Sequence, residues 1–202
     1  SPRERKILDQ VITAARKPVL DLAGAGVELA LLKSIFRRGS LLITNDTGPR
    51  HICFRPQGDV AYIVNEQGNT VTAHRFDEAR GTLEIFQNIS TLPADYTEGG
   101  FTAHVEVHQN GKWAYASNRG HDSIIWFNID TDGTLCPFGH VSVPASPRSF
   151  NIDPTGTYLY CAGEGAGTMT AYCVDQGNGA LSPIAEYKVG SQPFWVMVTN
   201  LG

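Results

Sequence analysis

A repeat of about 45 residues runs through the chain from Gly48 onward, and it constrains the fold more than any other feature. The repeated segments are GPRHICFRPQGDVAYIVNEQGNTVTAHRFD, TAHVEVHQNGKWAYASNRGHDSIIWFNID and SPRSFNIDPTGTYLYCAGEGAGTMTAYCVD. Equivalent residues are offset by 53 and then by 45 positions, as in Gly58, Gly111 and Gly156, or in Tyr62, Tyr115 and Tyr160. A further copy begins at Gln192 and contains one strand-like run. The chain is therefore built from tandem copies of one structural unit.

Each copy contains short runs of β-branched and aromatic residues separated by Gly, Asp, Asn and Pro, a pattern typical of antiparallel strands. Four strands in about 45 residues indicate one blade of a β-propeller. We predict an all-β fold, a partial β-propeller of about 3.5 four-stranded blades over residues 48–198. The predicted blades are 49–91, 102–143 and 146–189, followed by a closing strand at 192–198.

Residues 1–47 have a different pattern, in which helical and strand-like periods alternate. Apolar residues recur at helical spacing in 3–16 and 28–38, and short apolar runs lie at 18–22 and 41–44. The sequence therefore predicts a short α/β segment ahead of the blades.

Composition excludes several kinds of partner. Hydrophobic residues make up 42% of the chain and charged residues 18%, as in a folded globular protein. A net charge of −4 argues against a nucleic acid partner, and no apolar run is long enough to span a bilayer. The four cysteines have neither CxxC nor zinc-ligand spacing. We expect buried free thiols at Cys53, Cys161 and Cys173, and a cytoplasmic protein.

The blades resemble the lactonase family of seven-bladed propellers, which includes 6-phosphogluconolactonase and carboxymuconate-lactonizing enzymes. The residues that carry the resemblance are Gly48-Pro49-Arg50-His51, Val64-Asn65-Glu66, Ser90-Thr91-Leu92-Pro93, the segment SNRGHDSI at 117–124, and Asn151-Ile152-Asp153-Pro154-Thr155-Gly156. The resemblance implies hydrolysis of a small-molecule sugar-acid lactone, such as 6-phosphogluconolactone, without a cofactor or a metal. It covers the C-terminal half of such a propeller.

The resemblance also implies a site at the axial end of the ring. Arg50, Glu66 and Arg119 would be catalytic, and the substrate-binding residues would be His51, His104 and His121. Spacing supports part of this independently, because Glu66 and Arg119 share one repeat position with Glu164 and should lie on one rim. A guanidinium can stabilise charge on a lactone carbonyl oxygen, and a carboxylate can orient or deprotonate water.

Plainer interpretations of these residues stay open at this point. Arg119 could cap strand-end carbonyls, Glu66 could be a solvated turn residue, and His51 could be a packed inner-strand histidine. His104 occupies a position where lactonases often have an acidic residue. Arg148 and Glu164 are repeat equivalents that are more often solvated.

A second resemblance concerns residues 1–51. The stretch Ile43-Thr44-Asn45-Asp46-Thr47-Gly48-Pro49-Arg50-His51 is similar to the donor-binding region of ADP-heptose lipopolysaccharide heptosyltransferases. In that family the Asp-Thr-Gly-Pro backbone approaches the sugar nucleotide. The resemblance implies a chimera, with a glycosyltransferase-like fragment in residues 1–47 joined to blade sequence near residues 48 to 51.

Three functional hypotheses follow. The first is lactone hydrolysis, and the second is a non-catalytic propeller fragment that serves as a binding or interaction surface. The third is a glycosyltransferase remnant. An incomplete ring would also expose strand edges, so self-association through the open edges is expected.

Overall fold

The computed structural model describes residues 47–199, which form three four-stranded antiparallel sheets, here called blades 1, 2 and 3. Blade 1 contains β1 (Pro49–Phe54), β2 (Val60–Asn65), β3 (Thr70–Asp77) and β4 (Thr82–Ser90). Blade 2 contains β5 (Phe101–Val107), β6 (Trp113–Arg119), β7 (Ser123–Ile129) and β8 (Leu135–Ser142). Blade 3 contains β9 (Pro147–Ile152), β10 (Tyr158–Gly163), β11 (Thr168–Val174) and β12 (Leu181–Lys188). The all-β prediction is confirmed, and the strand bounds lie within one residue of the predicted blade limits.

The first turn of each blade explains why the repeat retains a glycine. Gly58, Gly111 and Gly156 adopt φ values of 76°, 72° and 73°, in the left-handed region that glycine enters without a steric penalty. Each donates its N–H to the carbonyl three residues earlier, over 2.8, 2.8 and 2.9 Å. These turns reverse the chain between the first and second strands of every blade.

The first strands of the blades, β1, β5 and β9, are neighbours, so the sheets radiate from one inner edge. Apolar cores fill the two spaces between blades. Tyr62 and Phe127 belong to the core between blades 1 and 2, while Phe150 and Tyr172 belong to the core between blades 2 and 3. This arrangement is the partial propeller that the repeat predicted.

Two buried tyrosine hydroxyls tie each blade to the next. Tyr62 donates to the carbonyl of Gly133 and Tyr115 donates to the carbonyl of Gly179, both over 2.8 Å. Each acceptor lies in the turn between the third and fourth strands of the following blade. Tyr160, the third residue of this series, has no hydrogen-bonded hydroxyl within residues 47–199, where no strands follow β12.

A second link between blades lies along their inner strands. At one repeat position a side-chain oxygen accepts a backbone N–H from the segment that lies beside its inner strand. Glu106 Oε2 accepts the Ile152 N–H of β9, and Asn151 Oδ1 accepts the Val198 N–H of the segment that follows β12. We call these two side chains the inter-blade acceptors. They satisfy backbone donors at the boundary between one inner strand and the next segment.

The predicted closing strand at 192–198 differs from the expectation, because these residues form no sheet ladder within 47–199. They lie beside β9 instead. Val196 donates its N–H to Ser149 Oγ over 3.1 Å, and Val198 donates to Asn151 Oδ1 over 2.7 Å. The physical reason is that the other strands of a fourth blade, with which this segment would pair, are not among the described residues.

The α/β segment predicted for residues 1–47 lies outside the described residues except at Thr47. Across 47–199 no helix has the length and apolar character that crossing a membrane requires.

Candidate active site

The inner strands begin, and the second strands end, at the same end of the blades, because neighbouring strands are antiparallel. This end is called the rim. Arg50 opens β1, Glu66 follows β2, and Arg119 ends β6. Backbone bonds hold Glu66 in place, since its N–H donates to the Gly48 carbonyl over 2.7 Å and its carbonyl accepts the Thr102 N–H over 3.1 Å.

The structure brings the three predicted catalytic residues together around one carboxylate. Arg119 Nη2 forms an ion pair with Glu66 Oε1, and Arg50 Nη1 lies 3.4 Å from the same oxygen. Arg50 Nε also donates to the Ala103 carbonyl over 3.1 Å. Glu66 is therefore a paired carboxylate at a blade boundary rather than a solvated turn residue, and Arg119 binds this carboxylate rather than strand-end carbonyls.

A second Arg–Glu pair occupies the same repeat positions in blade 3. Arg148 Nη1 lies 3.5 Å from Glu164 Oε2, and the guanidinium lies 4.5 Å from the centre of the Phe194 ring. In blade 2 the equivalent residues are Ala103 and Arg119. The rim therefore carries three guanidinium groups, from Arg50, Arg119 and Arg148, against the carboxylates of Glu66 and Glu164.

Two of these guanidinium groups have a buried donor without an acceptor. Neither Arg119 Nε nor Arg148 Nε has a hydrogen-bond partner within residues 47–199, although both atoms are buried. Buried N–H groups are nearly always hydrogen-bonded in folded proteins, and an unpaired one costs about 1–3 kcal/mol.

Behind the arginines, a line of hydrogen bonds crosses all three inner strands. His51 Nδ1 of β1 lies 2.8 Å from His104 Nδ1 of β5, and His104 Nε2 lies 3.1 Å from Glu106 Oε1. Glu106 accepts further bonds from Asn151 Nδ2 over 2.7 Å and from the Ile152 N–H over 2.9 Å. His104 is buried, with its ring edge-on to Phe150.

The surroundings of His51 oppose its protonation. Burial is the largest cause, and the nearby His104, Arg50 and Arg148 add to it, so the pKa of His51 falls to about 3. The ring also lies edge-on to Trp195, with the centroids 5.8 Å apart. His51 is therefore packed on an inner strand, as one of the two interpretations expected, and is neutral at pH 7.

His121 lies apart from this cluster. Its Nδ1 is 2.6 Å from Ser123 Oγ, and its ring contacts those of Tyr96 and His140. Burial lowers the pKa of His121, and His140 contributes to the shift. Among the predicted site residues that the structure describes, Arg50, His51, Glu66, His104 and Arg119 lie along the inner strands and rim, whereas His121 faces the 91–100 loop and the outer strand β8.

Sequence reasoning did not identify Glu106, Asn151 or Trp195. Glu106 and Asn151 occupy the same repeat position as Cys53, so the sequence shows that the three residues are equivalent. It does not show a shared role, because the three side chains differ in chemistry. Trp195 is 56% exposed beside His51 and His104. Within 47–199 no three His, Cys, Asp or Glu side chains are arranged to hold a metal ion.

The family model described as "Lactonase, 7-bladed beta-propeller" matches residues 30–198. A 6-phosphogluconolactonase from Pectobacterium carotovorum is 34% identical over 201 residues, which are 99% of this chain and 59% of that protein. A 6-phosphogluconolactonase from Sodalis glossinidius is 36% identical over 152 residues, or 75% of this chain and 46% of the relative. The chain thus spans about half the length of the curated relatives it matches.

Solved structures agree with these matches. A Lactobacillus plantarum protein has a TM-score of 0.71 at 28% identity, covering 74% of this chain and 44% of the other. The periplasmic gluconolactonase of Pseudomonas aeruginosa has a TM-score of 0.68 at 25% identity, covering 72% and 41%. The similarity to heptosyltransferases finds no support, because the lactonase match begins at residue 30 and the Pectobacterium alignment covers nearly the whole chain.

Proposed function

Because this chain belongs to the lactonase family of seven-bladed β-propellers, we propose that it hydrolyses the lactone of an acidic sugar, such as 6-phosphogluconolactone. The names of the Pectobacterium and Sodalis relatives support the phosphorylated substrate, and that of the Pseudomonas structure supports a sugar lactone more generally. The proposal concerns the complete seven-bladed propeller of this family, because the chain spans about half the length of its relatives.

The observation that carries the proposal is the excess of guanidinium donors at the rim. Arg50 and Arg119 share the Glu66 carboxylate, and the Nε donors of Arg119 and Arg148 have no acceptor within the described residues. Guanidinium groups bind phosphate and carboxylate oxygens through paired hydrogen bonds. A substrate that carries such a group would bind the partly exposed guanidinium groups of this rim.

The proposed chemistry is addition of water to the lactone carbonyl. The water oxygen bonds to the carbonyl carbon, the ring C–O bond breaks, and a proton from the water ends on the former ring oxygen. Negative charge grows on the carbonyl oxygen during attack, and the Arg119 guanidinium would stabilise it. Glu66, oriented by its two arginines, would accept a hydrogen bond from the attacking water.

The experiment compares lactone hydrolysis by the wild type with that by Arg119→Ala, Arg119→Lys and Glu66→Gln. We expect Arg119→Ala to lower kcat by about 100-fold, the typical effect of removing one donor to the developing oxyanion. Arg119→Lys should restore part of this loss, because it keeps the charge but not the planar donor array.

Glu84→Gln, on the exposed outer strand β4, serves as the matched carboxylate control and should behave as the wild type. Folding is checked by circular dichroism. Wild-type turnover no faster than the buffer reaction, with an intact β-sheet spectrum, would contradict the proposed function.

We also propose that open strand edges lead copies of the chain to associate. Ile184 and Tyr187 on β12 and Phe194 and Met197 in the segment that follows are all exposed. Gel filtration of the chain tests this: a monomer at all concentrations contradicts it.

The proposed location is the cytoplasm, which suits the four free thiols, and cell fractionation with antibody detection would check it.

A further inference from the structure

The direction of the hydrogen bonds along the inner strands can be assigned from Glu106. Its carboxylate already accepts from Asn151 and from the Ile152 backbone, and an ionised carboxylate can only accept. The nitrogen of His104 that faces it, Nε2, is therefore the donor.

The donor role of His104 Nε2 also determines which nitrogen of the His51 imidazole carries hydrogen. The neutral form of an imidazole carries hydrogen on one nitrogen only, so in that form His104 Nδ1 holds a lone pair once Nε2 is the donor. His51 Nδ1 lies 2.8 Å from that lone pair and must supply the hydrogen. His51 Nε2 is then the unprotonated nitrogen.

The unprotonated nitrogen is available to a ligand. His51 Nε2 has no hydrogen-bond partner within residues 47–199, and the side chain is only partly buried. Groups that face the ring from every packed element are Arg50 on β1, His104 and Glu106 on β5, Arg148 on β9, and Trp195 beyond β12. Arg50 and Arg148 disfavour a second proton on the ring.

We propose that His51 Nε2 is a fixed acceptor for a substrate hydroxyl, and that His104 and Glu106 are positioning residues that hold it in this tautomer. The inference rests on the proposed function and names the residue that would recognise a hydroxyl group of its substrate. The half-exposed indole of Trp195, 5.8 Å from His51 between ring centroids, offers an apolar surface to the sugar ring beside this acceptor.

A free hydrogen-bond acceptor complements the arginine donors of this rim. The arginines supply only donors, one oxygen of each of the Glu66 and Glu164 carboxylates is paired with arginine, and the proposed mechanism assigns Glu66 to the attacking water. Sugar hydroxyls need acceptors for their hydrogens, and a lactone without hydroxyls does not. An acceptor of fixed direction therefore distinguishes the two classes of lactone.

The tautomer is tested first, by nitrogen-15 NMR of protein labelled on histidine, with the six His signals assigned by substitution. We expect hydrogen on Nδ1 of His51 in the wild type and in His104→Asn, whose side-chain oxygen can accept in place of Nδ1. In His104→Phe the acceptor is lost, and the signal should shift toward the Nε2–H form. Hydrogen on Nε2 of His51 in the wild type would overturn the proposal.

Kinetics then tests the role. We compare kcat/KM for glucono-1,5-lactone and for δ-valerolactone, which has no hydroxyl groups, in the wild type, His51→Phe, His104→Phe and His104→Asn. A lost hydrogen bond of ordinary strength predicts about a tenfold fall for the hydroxylated lactone in both Phe variants, with little change for δ-valerolactone. His104→Asn should retain most of the wild-type preference.

Two results separate failure of this inference from failure of the proposed function. Equal losses for both lactones in His51→Phe would overturn the hydroxyl role while leaving lactone hydrolysis intact. If the wild type hydrolyses neither lactone, the proposed function fails, and titration with gluconate decides the inference. A shift of the His51 Nε2 signal on gluconate binding supports it, and no shift at saturating gluconate overturns it.

Discussion

Arg119 of blade 2 forms an ion pair with Glu66 of blade 1, so the contact bridges two residues that occupy the same position in successive repeats. Identical repeats would place like charges there. Because this repeat position is Glu66 in blade 1 and Arg119 in blade 2, the two side chains carry opposite charges and attract each other. The same rim then carries the vacant guanidinium donors on which the proposed function rests.

Arg148→Ala should impair the use of anionic lactones selectively. Its guanidinium is partly exposed and has Glu164 as its carboxylate partner, so a substrate phosphate would gain a charged hydrogen bond that a neutral lactone does not. We expect kcat/KM for 6-phosphogluconolactone to fall by about 10- to 100-fold and that for glucono-1,5-lactone to change by less than about threefold. Steady-state rates on both substrates measure this. Equal losses on both would show that Arg148 does not recognise the anionic group.

Glu106→Ala should destabilise the array at the boundary between blades 2 and 3. The carboxylate accepts the Ile152 N–H and the Asn151 amide, and bonds to a charged group contribute about 1.5–3 kcal/mol each. We expect the free energy of unfolding in urea to fall by about 2–4 kcal/mol. Glu84→Ala, on the exposed outer strand β4, is the matched control and should change stability by less. A Glu106→Ala protein as stable as the wild type would contradict this account.

Three tyrosines at one repeat position can be compared, because the hydroxyls of Tyr62 and Tyr115 bond to the next blade and that of Tyr160 has no such bond within 47–199. Tyr62→Phe and Tyr115→Phe each leave a glycine carbonyl in the next blade without its donor, and each should cost about 1–2 kcal/mol of unfolding free energy. Tyr160→Phe is the matched control, since the Tyr160 hydroxyl has no partner within the described blades. Thermal or urea unfolding of the three variants checks the order. Equal effects at all three positions would disprove the blade-to-blade role.

Stability should fall as the pH drops from 7 to 5. His51 and His74 have folded pKa values of about 3 and about 4, both below the ordinary 6.5, with burial the largest cause. Between the folded and unfolded values the unfolded chain binds more protons, so the free energy of unfolding rises with pH. Each histidine contributes about 1–2 kcal/mol over this range, because its unfolded form titrates near 6.5.

Urea unfolding at pH 7, 6 and 5 measures the slope, and His51→Gln and His74→Gln should each reduce it. Carboxylates titrate mainly below pH 5 and contribute little in this window. A wild-type slope unchanged in either variant would show that these histidines do not hold depressed pKa values in the folded state.

Much of the fold could be predicted from sequence because a repeat shows its own register. Gly58, Gly111 and Gly156 marked one turn, and the strand bounds of all three blades followed from it. The same register placed Glu66 and Arg119 on one rim, where they meet. These features depend on position within a blade, and a tandem sequence displays that position directly.

Contacts between blades were harder to predict. Glu106 lies in a strand whose other copies have Cys53 and Asn151, and only the approach of the next segment shows that Glu106 and Asn151 accept a backbone N–H. His104 was assigned to substrate, yet it lies buried between His51 and Glu106. The closing segment needed partner strands that lie beyond the described residues.

The inter-blade acceptors couple the alignment of successive inner strands. Each hydrogen bond constrains both of its partners, so a shift of one inner strand acts on the blade before it as well as on the segment after it. Asn151 holds Val198 in this way. A substitution at Glu106 or Asn151 would therefore alter the spacing at a blade boundary and not only the strand that carries it.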